Sequence, residues 1–375
     1  MSRDLKEVAA IFLKLGLTAF GGPAAHIALM KVEFVDKRKW LTEERFLDLL
    51  GATNLIPGPN STEMAIHLGH ERAGWKGLIT AGCCFILPAV LITLFFAYLY
   101  QRYGQLPEVA PFLYGIKPAI IAVIAAAILP LAKRSIHTRT LALLAVAVAA
   151  LSLAGVGEIL LMFGAGFAAV AFTLATRNAG NFYSFNPGML FPFAILSYSQ
   201  EANLRLFLSF LKIGSILYGS GYVLFSFLET ELVVPGLLTE SQLIDAVAVG
   251  QFTPGPVFSA VTFIGYQING LTGAALATVG IFLPSFVFVA LLNPIVDKMR
   301  NSKTFAAFLD AVNVASVALI ATVLISMGKE SIQDWRSTAI ALLSFGAVFG
   351  FRKLNSAFVI VGGALAGWLL SLVQF

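Results

Sequence analysis

Phe12-Leu13-Lys14-Leu15-Gly16 recurs 198 positions later as Phe210-Leu211-Lys212-Ile213-Gly214. Outward from that pair the echo continues. Phe20-Gly21 returns as Tyr218-Gly219, Leu41-Thr42-Glu43 as Leu238-Thr239-Glu240, and Asp48 as Asp245. Pro57-Gly58-Pro59 returns as Pro254-Gly255-Pro256, and Gly74, Gly77 and Leu87-Pro88 return as Gly270, Gly273 and Leu283-Pro284. The order is kept throughout, and the offset slips only from 198 to 196. Two similar apolar halves, each broken by Gly and Pro at matching places, are the pattern of secondary transporters.

Composition sets the class. Hydrophobic residues make up 58% of the chain, charged residues 12%, and the mean hydropathy is +0.85. A soluble domain is about a quarter charged. Apolar runs close to the roughly 20 residues that a helix needs to cross a bilayer recur along the whole length. The fold expected is an all-α polytopic membrane protein. The run 8–30 has no signal-cleavage pattern and reads as a retained membrane element. Cys83 and Cys84 are adjacent and imply no disulfide framework. The net charge of +5 is not a nucleic-acid signal; its placement along the chain is what carries information.

Each half reads as six apolar segments: 8–30, 46–68, 77–100, 111–131, 141–154 and 159–175, then 204–228, 243–268, 271–292, 305–327, 339–350 and 357–372. The domains expected are a first repeat over 1–176, a polar inter-repeat linker over 177–203 and a second repeat over 204–375. In each half the second segment carries Pro-Gly-Pro at its middle, which forbids a continuous helix. Lysine and arginine, which concentrate in cytoplasmic loops, choose between a broken crossing and a hairpin. With hairpins and the amino terminus outside, 17 Lys and Arg fall inside and 5 outside; with two further crossings the split is even. Five crossings and one re-entrant hairpin per half then make a ten-span inverted-topology repeat.

The residues Phe20-Gly21-Gly22-Pro23-Ala24-Ala25-His26 and Asn54-Leu55-Ile56-Pro57-Gly58-Pro59-Asn60-Ser61-Thr62-Glu63 resemble the signature of the chromate ion transporter (CHR) family. Gly69, Gly74 and Gly77 follow as in that signature, and Gly250-Gln251-Phe252-Thr253-Pro254-Gly255-Pro256 resembles its repeated motif. The resemblance covers nearly the whole chain and is to the full-length, two-domain type. It implies export of chromate from the cytoplasm across the inner (plasma) membrane, conferring chromate resistance. The halves differ at Ser220-Gly221, opposite Gly22-Pro23, and at Val257-Phe258, opposite Asn60-Ser61, so unequal contributions to an ion site are expected.

The candidate substrate-binding residues follow from backbone physics. A re-entrant half-helix places its N-terminal N–H groups and positive dipole end inside the membrane, which suits an oxyanion. Pro57, Gly58, Pro59, Asn60, Ser61 and Thr62 form one such tip; Thr253, Pro254, Gly255 and Pro256 form the other. The bland alternative is a plain turn, with Asn60 and Glu63 closing a capping box. Gly21, Gly22 and Pro23 unwind the first segment and let backbone approach a ligand; tight helix packing is the alternative. His26 follows that break. Lys117, within an apolar segment, is a candidate cationic partner for a dianion, against the alternative of a lysine snorkelling to the surface. Glu63 and His67 are candidate coupling residues, because an ionised Glu63 repels an anion and a protonated one does not.

No metal-ligand spacing, Walker loop or dinucleotide fingerprint stands out, so no cofactor and no enzyme activity is expected. The partners expected are chromate or a similar oxyanion and the lipid bilayer, without nucleic acid; self-association as a homodimer is left open. Proton-coupled movement of sulfate or another tetrahedral oxyanion is the rival function, since sulfate shares chromate's charge and shape.

Overall fold

The computed structural model describes residues 3–20, 22–176, 202–218, 221–292, 302–351 and 354–372, with helices and turns and no strand among them. The first half holds α1 (Arg3–Thr18), α2 (Gly22–Lys31, extended by a π-helical turn Val32–Lys37), α3 (Glu43–Thr53), α4 (Asn60–Tyr103), α5 (Ala110–Ser135), α6 (Arg139–Leu153) and α7 (Glu158–Thr176). The second holds α8 (Ala202–Ile216), α9 (Val223–Leu228), α10 (Glu240–Phe252), α11 (Ala260–Leu292), α12 (Lys303–Ser331), α13 (Trp335–Gly350) and α14 (Ser356–Ser371). Of the expected linker 177–203, only Ala202 and Asn203 are described, and they open α8; Gly21, Gly219 and Ser220 also lie outside the described residues.

Among the described residues, five helices are long and apolar enough to cross a membrane: Asn60–Tyr103, Ala110–Ser135, Glu158–Ala175, Val257–Leu291 and Thr304–Ser331. Arg139–Leu153 and Ser356–Ser371 are shorter apolar helices. The chain is therefore a polytopic helical membrane protein.

Two of the long helices are not straight. At Ala73-Gly74 and at Asn269-Gly270 the backbone leaves helical geometry, with Gly74 at φ +59° and Gly270 at φ +54°. Only glycine adopts that conformation without strain. In a straight helix, residues eight apart lie about 12 Å from one another. Here Gly69 and Gly77 touch so closely that a Cβ on either would overlap the other's carbonyl, and Gly265 and Gly273 do the same. Each helix is thus a short arm (residues 60–72 or 260–268) folded back on a long arm (residues 75–103 or 271–292).

The short arm of α4 also pairs with α3. Arg45, near the start of α3, binds Glu71 at the end of the arm at 2.6 Å, while Asn54 and Asn60 meet at the turn at 2.8 Å. The segment 46–68 accordingly runs as α3, a break at Pro57-Gly58-Pro59 and the short arm of α4, joined by contacts at both ends. Thr42 caps α3 by accepting from the Arg45 N–H, and its repeat mate Thr239 closes a capping box with Gln242 on α10. Leu-Thr-Glu is therefore a helix-start signal in both halves.

The segment 8–30 is also folded back, which corrects its reading as one interrupted crossing. Phe12 stacks on Phe34 with centroids 5.1 Å apart, and Glu7 pairs with Arg38 at 2.8 Å. Arg72 binds Asp4 at 2.9 Å and Glu7 at 3.0 Å. The start of α1, the end of the π-helical turn and the end of the short α4 arm thus share one face. Hydropathy counts 23 apolar-rich residues as a span; Gly22 at φ +80° and Pro23 instead let the chain reverse, so that each limb is about 24 Å long or less. The amino-terminal Asp4 and Glu7 consequently lie on the same face as Arg38 and Arg45, not opposite them.

The packing respects the repeat. α1 packs on α4 as α8 packs on α11; α5 packs on α14 and α13 as α12 packs on α7 and α6; α4 meets its own mate α11, and α5 meets α12. Phe286 of the long α11 arm rests on Gly82, eight residues beyond the Gly74 kink. Gln267, just before the Gly270 kink, donates to the Ala97 carbonyl near the other end of α4 at 3.2 Å. The two kinks therefore sit at opposite ends of the bundle.

Candidate functional site

The four chain breaks meet at the centre of this packing. The Gly58 N–H donates to the Leu217 carbonyl at 2.8 Å, and the Gly255 N–H donates to the Ala19 carbonyl at 2.9 Å. Gly58 and Gly255 are repeat mates, and so are Ala19 and Leu217. Each Pro-Gly-Pro tip is thus tied to the break in the opposite half's first helix pair. Pro57, Gly58, Pro59, Pro254, Gly255 and Pro256 are all buried. Irregular backbone at membrane depth is tolerated only where its polar groups find partners in this way.

In the first half two helices begin at the centre: α2 at Gly22 and the short arm of α4 at Asn60. His26 joins them. Its Nε2 lies 3.1 Å from the Ala19 carbonyl and its Nδ1 3.3 Å from Ser61 Oγ. The Ala19 carbonyl therefore receives both His26 and the opposite tip. Two helix N-termini at one point are suited to negative charge.

The short arm of α4 carries the remaining polar groups. Ser61, Thr62, Glu63 and His67 are at most 2% exposed. No capping box forms: the residue before the arm is Pro59, no side chain caps it, and Asn60 turns away to bond Asn54. Among the described residues Thr62 Oγ1, both Glu63 oxygens and both His67 ring nitrogens have no hydrogen-bond partner. Ser285, from the long arm of α11, lies beside the Glu63 carboxyl, yet its hydroxyl too makes no bond of acceptable geometry. A buried polar group left unpaired costs about 1–3 kcal/mol, so a cluster of such groups makes this arm the candidate functional site.

The matching arm of the second half carries no such cluster among the described residues. The mates of Asn60, Ser61, Thr62, Glu63 and His67 are Val257, Phe258, Ser259, Ala260 and Ile264, and the mate of His26 is Leu224. Ser259 contacts Thr93 at 3.3 Å, and Thr253 turns its hydroxyl back to the Val249 carbonyl at 2.6 Å. The second tip contributes backbone; the first contributes backbone and side chains. Ser285 escaped the sequence reading. The signal for it was the repeat itself, which puts a serine where the first half has Ala89.

Lys117 is placed elsewhere. It donates to Ser241 at the start of α10 and stands within electrostatic range of Asp245. Asp245 Oδ2 accepts from Tyr100 at 2.7 Å. This group borders a cavity of about 520 Å³ between α4, α5, α10 and α14, lined by apolar side chains together with Tyr100 and Asp245. No contact joins Lys117 to either tip among the described residues.

Comparison with known proteins agrees with the duplicated architecture. The family model described as Chromate transporter matches the chain twice, over residues 6–170 and 204–368. A chromate transport protein of Cupriavidus metallidurans is 31% identical over 97% of this chain and 92% of its own length. One from Pseudomonas aeruginosa is 30% identical with the same coverage, and a probable chromate transport protein of Synechococcus elongatus is 29% identical over 97% and 95%. No solved structure matches. The chain belongs to the chromate transporter family, and it is a multi-pass membrane transporter rather than an enzyme.

Proposed function

We propose that this member of the chromate transporter family exports the chromate dianion from the cytoplasm by alternating access around the paired tips. The observation that carries the proposal is the reciprocal bonding of Gly58 to Leu217 and of Gly255 to Ala19. It brings the broken backbone of both halves to one buried point, where the N-terminal ends of α2 and of the short α4 arm offer positive potential. Gly22, Pro23, His26 and the residues 57–62 form the first-half wall of the path, and residues 253–256 form the second-half wall. Gly21 adjoins this wall in sequence.

The two repeats, 1–176 and 204–375, have inverted topology, because their kinks lie at opposite ends of the antiparallel long arms. The face holding Lys31, Lys37, Arg38, Lys39, Arg45, Arg72, Lys76, Lys133, Arg134 and Arg139 is cytoplasmic. Arg3 and Lys6, counted outside when 8–30 is taken as a crossing, then fall on that face and sharpen the bias. Energetics favour export: a dianion leaving an interior at −100 mV gains about 4.6 kcal/mol.

The test is chromate flux in proteoliposomes of the full chain under an imposed potential. Interior-negative potential should drive chromate out, and sulfate should compete weakly. Sulfate flux without chromate flux would overturn the substrate assignment.

A further inference from the structure

Glu63 is fully buried, both its oxygens lack a partner, and it sits beside the tip glycine Gly58. Among the described residues no Lys or Arg pairs with it. α11 supplies Ser285, which does not titrate. The turn after α8 supplies Tyr218, buried and within electrostatic range of the carboxyl. α2 supplies His26, one residue removed through Ser61. The same helix supplies His67, one turn on. α3 carries Arg45, which is held by Glu71 at the hairpin base, and Asp48, also toward that base. α1 and the long arm of α4 present apolar side chains and backbone here, such as Phe12 and Phe85.

An isolated carboxylate in such a place does not stay charged; it takes up a proton or a cation. Three oxygen-bearing side chains, Glu63, Ser285 and Thr62, fall short of the six or more oxygens that a hard divalent cation gathers, and no metal-holding group of three acidic, His or Cys side chains occurs among the described residues. A proton needs only one oxygen. We infer that Glu63 is a proton site filled together with the oxyanion, so that one proton leaves with each chromate and the cycle carries one net negative charge instead of two. The sign follows from the geometry. Chromate at the tips and a charged Glu63 oppose each other, so each ligand strengthens binding of its opposite: proton and dianion bind cooperatively, and by reciprocity chromate binding draws in a proton. Antiport of a proton against chromate through this residue is excluded by the same sign. This inference rests on the chromate reading above.

The experiment uses the purified full chain and sodium chromate in the alkaline range, where the ligand itself is already the dianion. Wild type should lose affinity with rising pH by up to about tenfold per pH unit, and should take up a proton when chromate is added to lightly buffered protein. Glu63→Gln, which mimics the protonated acid, should bind chromate at the high-affinity level across the whole range and take up no proton. In liposomes, flux through Glu63→Gln should carry two charges per chromate, against one for wild type. Proton release on binding, a pH dependence that survives in Glu63→Gln, or a requirement for sodium in place of protons would each overturn the inference. If Glu63→Gln does not fold, proton uptake by wild type alone decides it. Absence of chromate binding in both proteins would instead sink the chromate reading.

Discussion

Gly58→Ala is the sharpest test of the tip geometry. Gly58 has φ +134°, where a side chain costs about 1–3 kcal/mol of backbone strain. An added Cβ would also lie 2.7 Å from Ser285 Oγ and closer still to Glu63 Oε1. Forcing a methyl group into packed surroundings costs about a further 1–3 kcal/mol. Two other glycines separate these contributions. Gly155 has φ +88° with nothing within 4 Å of a Cβ, so alanine there meets strain alone. Gly255 has the same φ but a looser fit, with Ala89 Cβ at 3.0 Å and the Gly16 carbonyl at 3.2 Å. The expected order of damage is Gly58→Ala, then Gly255→Ala, then Gly155→Ala, with about 2–6 kcal/mol for the first. Large membrane proteins unfold irreversibly, so the measurement is the half-inactivation temperature in detergent at one heating rate, with chromate flux alongside. If Gly58→Ala melts with Gly155→Ala and transports like wild type, the packing of Glu63 and Ser285 around the tip is wrong.

Three further outcomes are expected. Cysteines replacing Lys6 and Lys37 should be labelled from one face of the membrane and a cysteine replacing Glu231 from the other; labelling of Lys6 with Glu231 would refute the fold-back of α1 on α2. Lys117→Met should lower thermal stability by breaking the contact with Ser241 and leaving Asp245 without its neighbouring cation, while chromate affinity stays within about twofold, since no contact links Lys117 to the tips; a large loss of affinity would return it to the ion path. Glu33 lies outside the spans, and its bond from Arg38 holds the carboxyl below its ordinary pKa. Its contribution is therefore present above the usual carboxylate range and lost as pH falls below it, so acid inactivation should shift to higher pH in Arg38→Met, and an unmoved acid profile would count against the pair.

The repeat was legible because glycine and proline report backbone geometry directly. Pro57-Gly58-Pro59 and Pro254-Gly255-Pro256 named the breaks, and the exchange of Asn60-Ser61 for Val257-Phe258 foretold which half would carry the polar side chains. The reversal within 8–30 was not legible. Hydropathy adds up apolar length, and 23 such residues match one crossing as well as two half-crossings; the pairs Phe12–Phe34 and Glu7–Arg38 that distinguish them are long-range. The charge count inherited that error at Arg3 and Lys6. For Lys117, sequence showed an ammonium at membrane depth but not its partner, because Ser241 is 124 residues away. Glu63 was visible as an acid beside a tip, but that no described Lys or Arg pairs with it could be seen only once the neighbouring elements were in place.

The exchanged bonds at the tips bear on how the gene could be divided. Neither half satisfies its own broken backbone: the Gly58 N–H finds its acceptor on Leu217, and the Ala19 carbonyl finds its backbone donor on Gly255. Translated as separate polypeptides, residues 1–176 would leave the Gly58 amide without its acceptor, and residues 204–375 would leave the Gly255 amide and the Leu217 carbonyl without their partners, while the Ala19 carbonyl would keep His26. Co-expression should therefore rescue both products from degradation where single expression does not, the two fragments serving as each other's obligate chaperone.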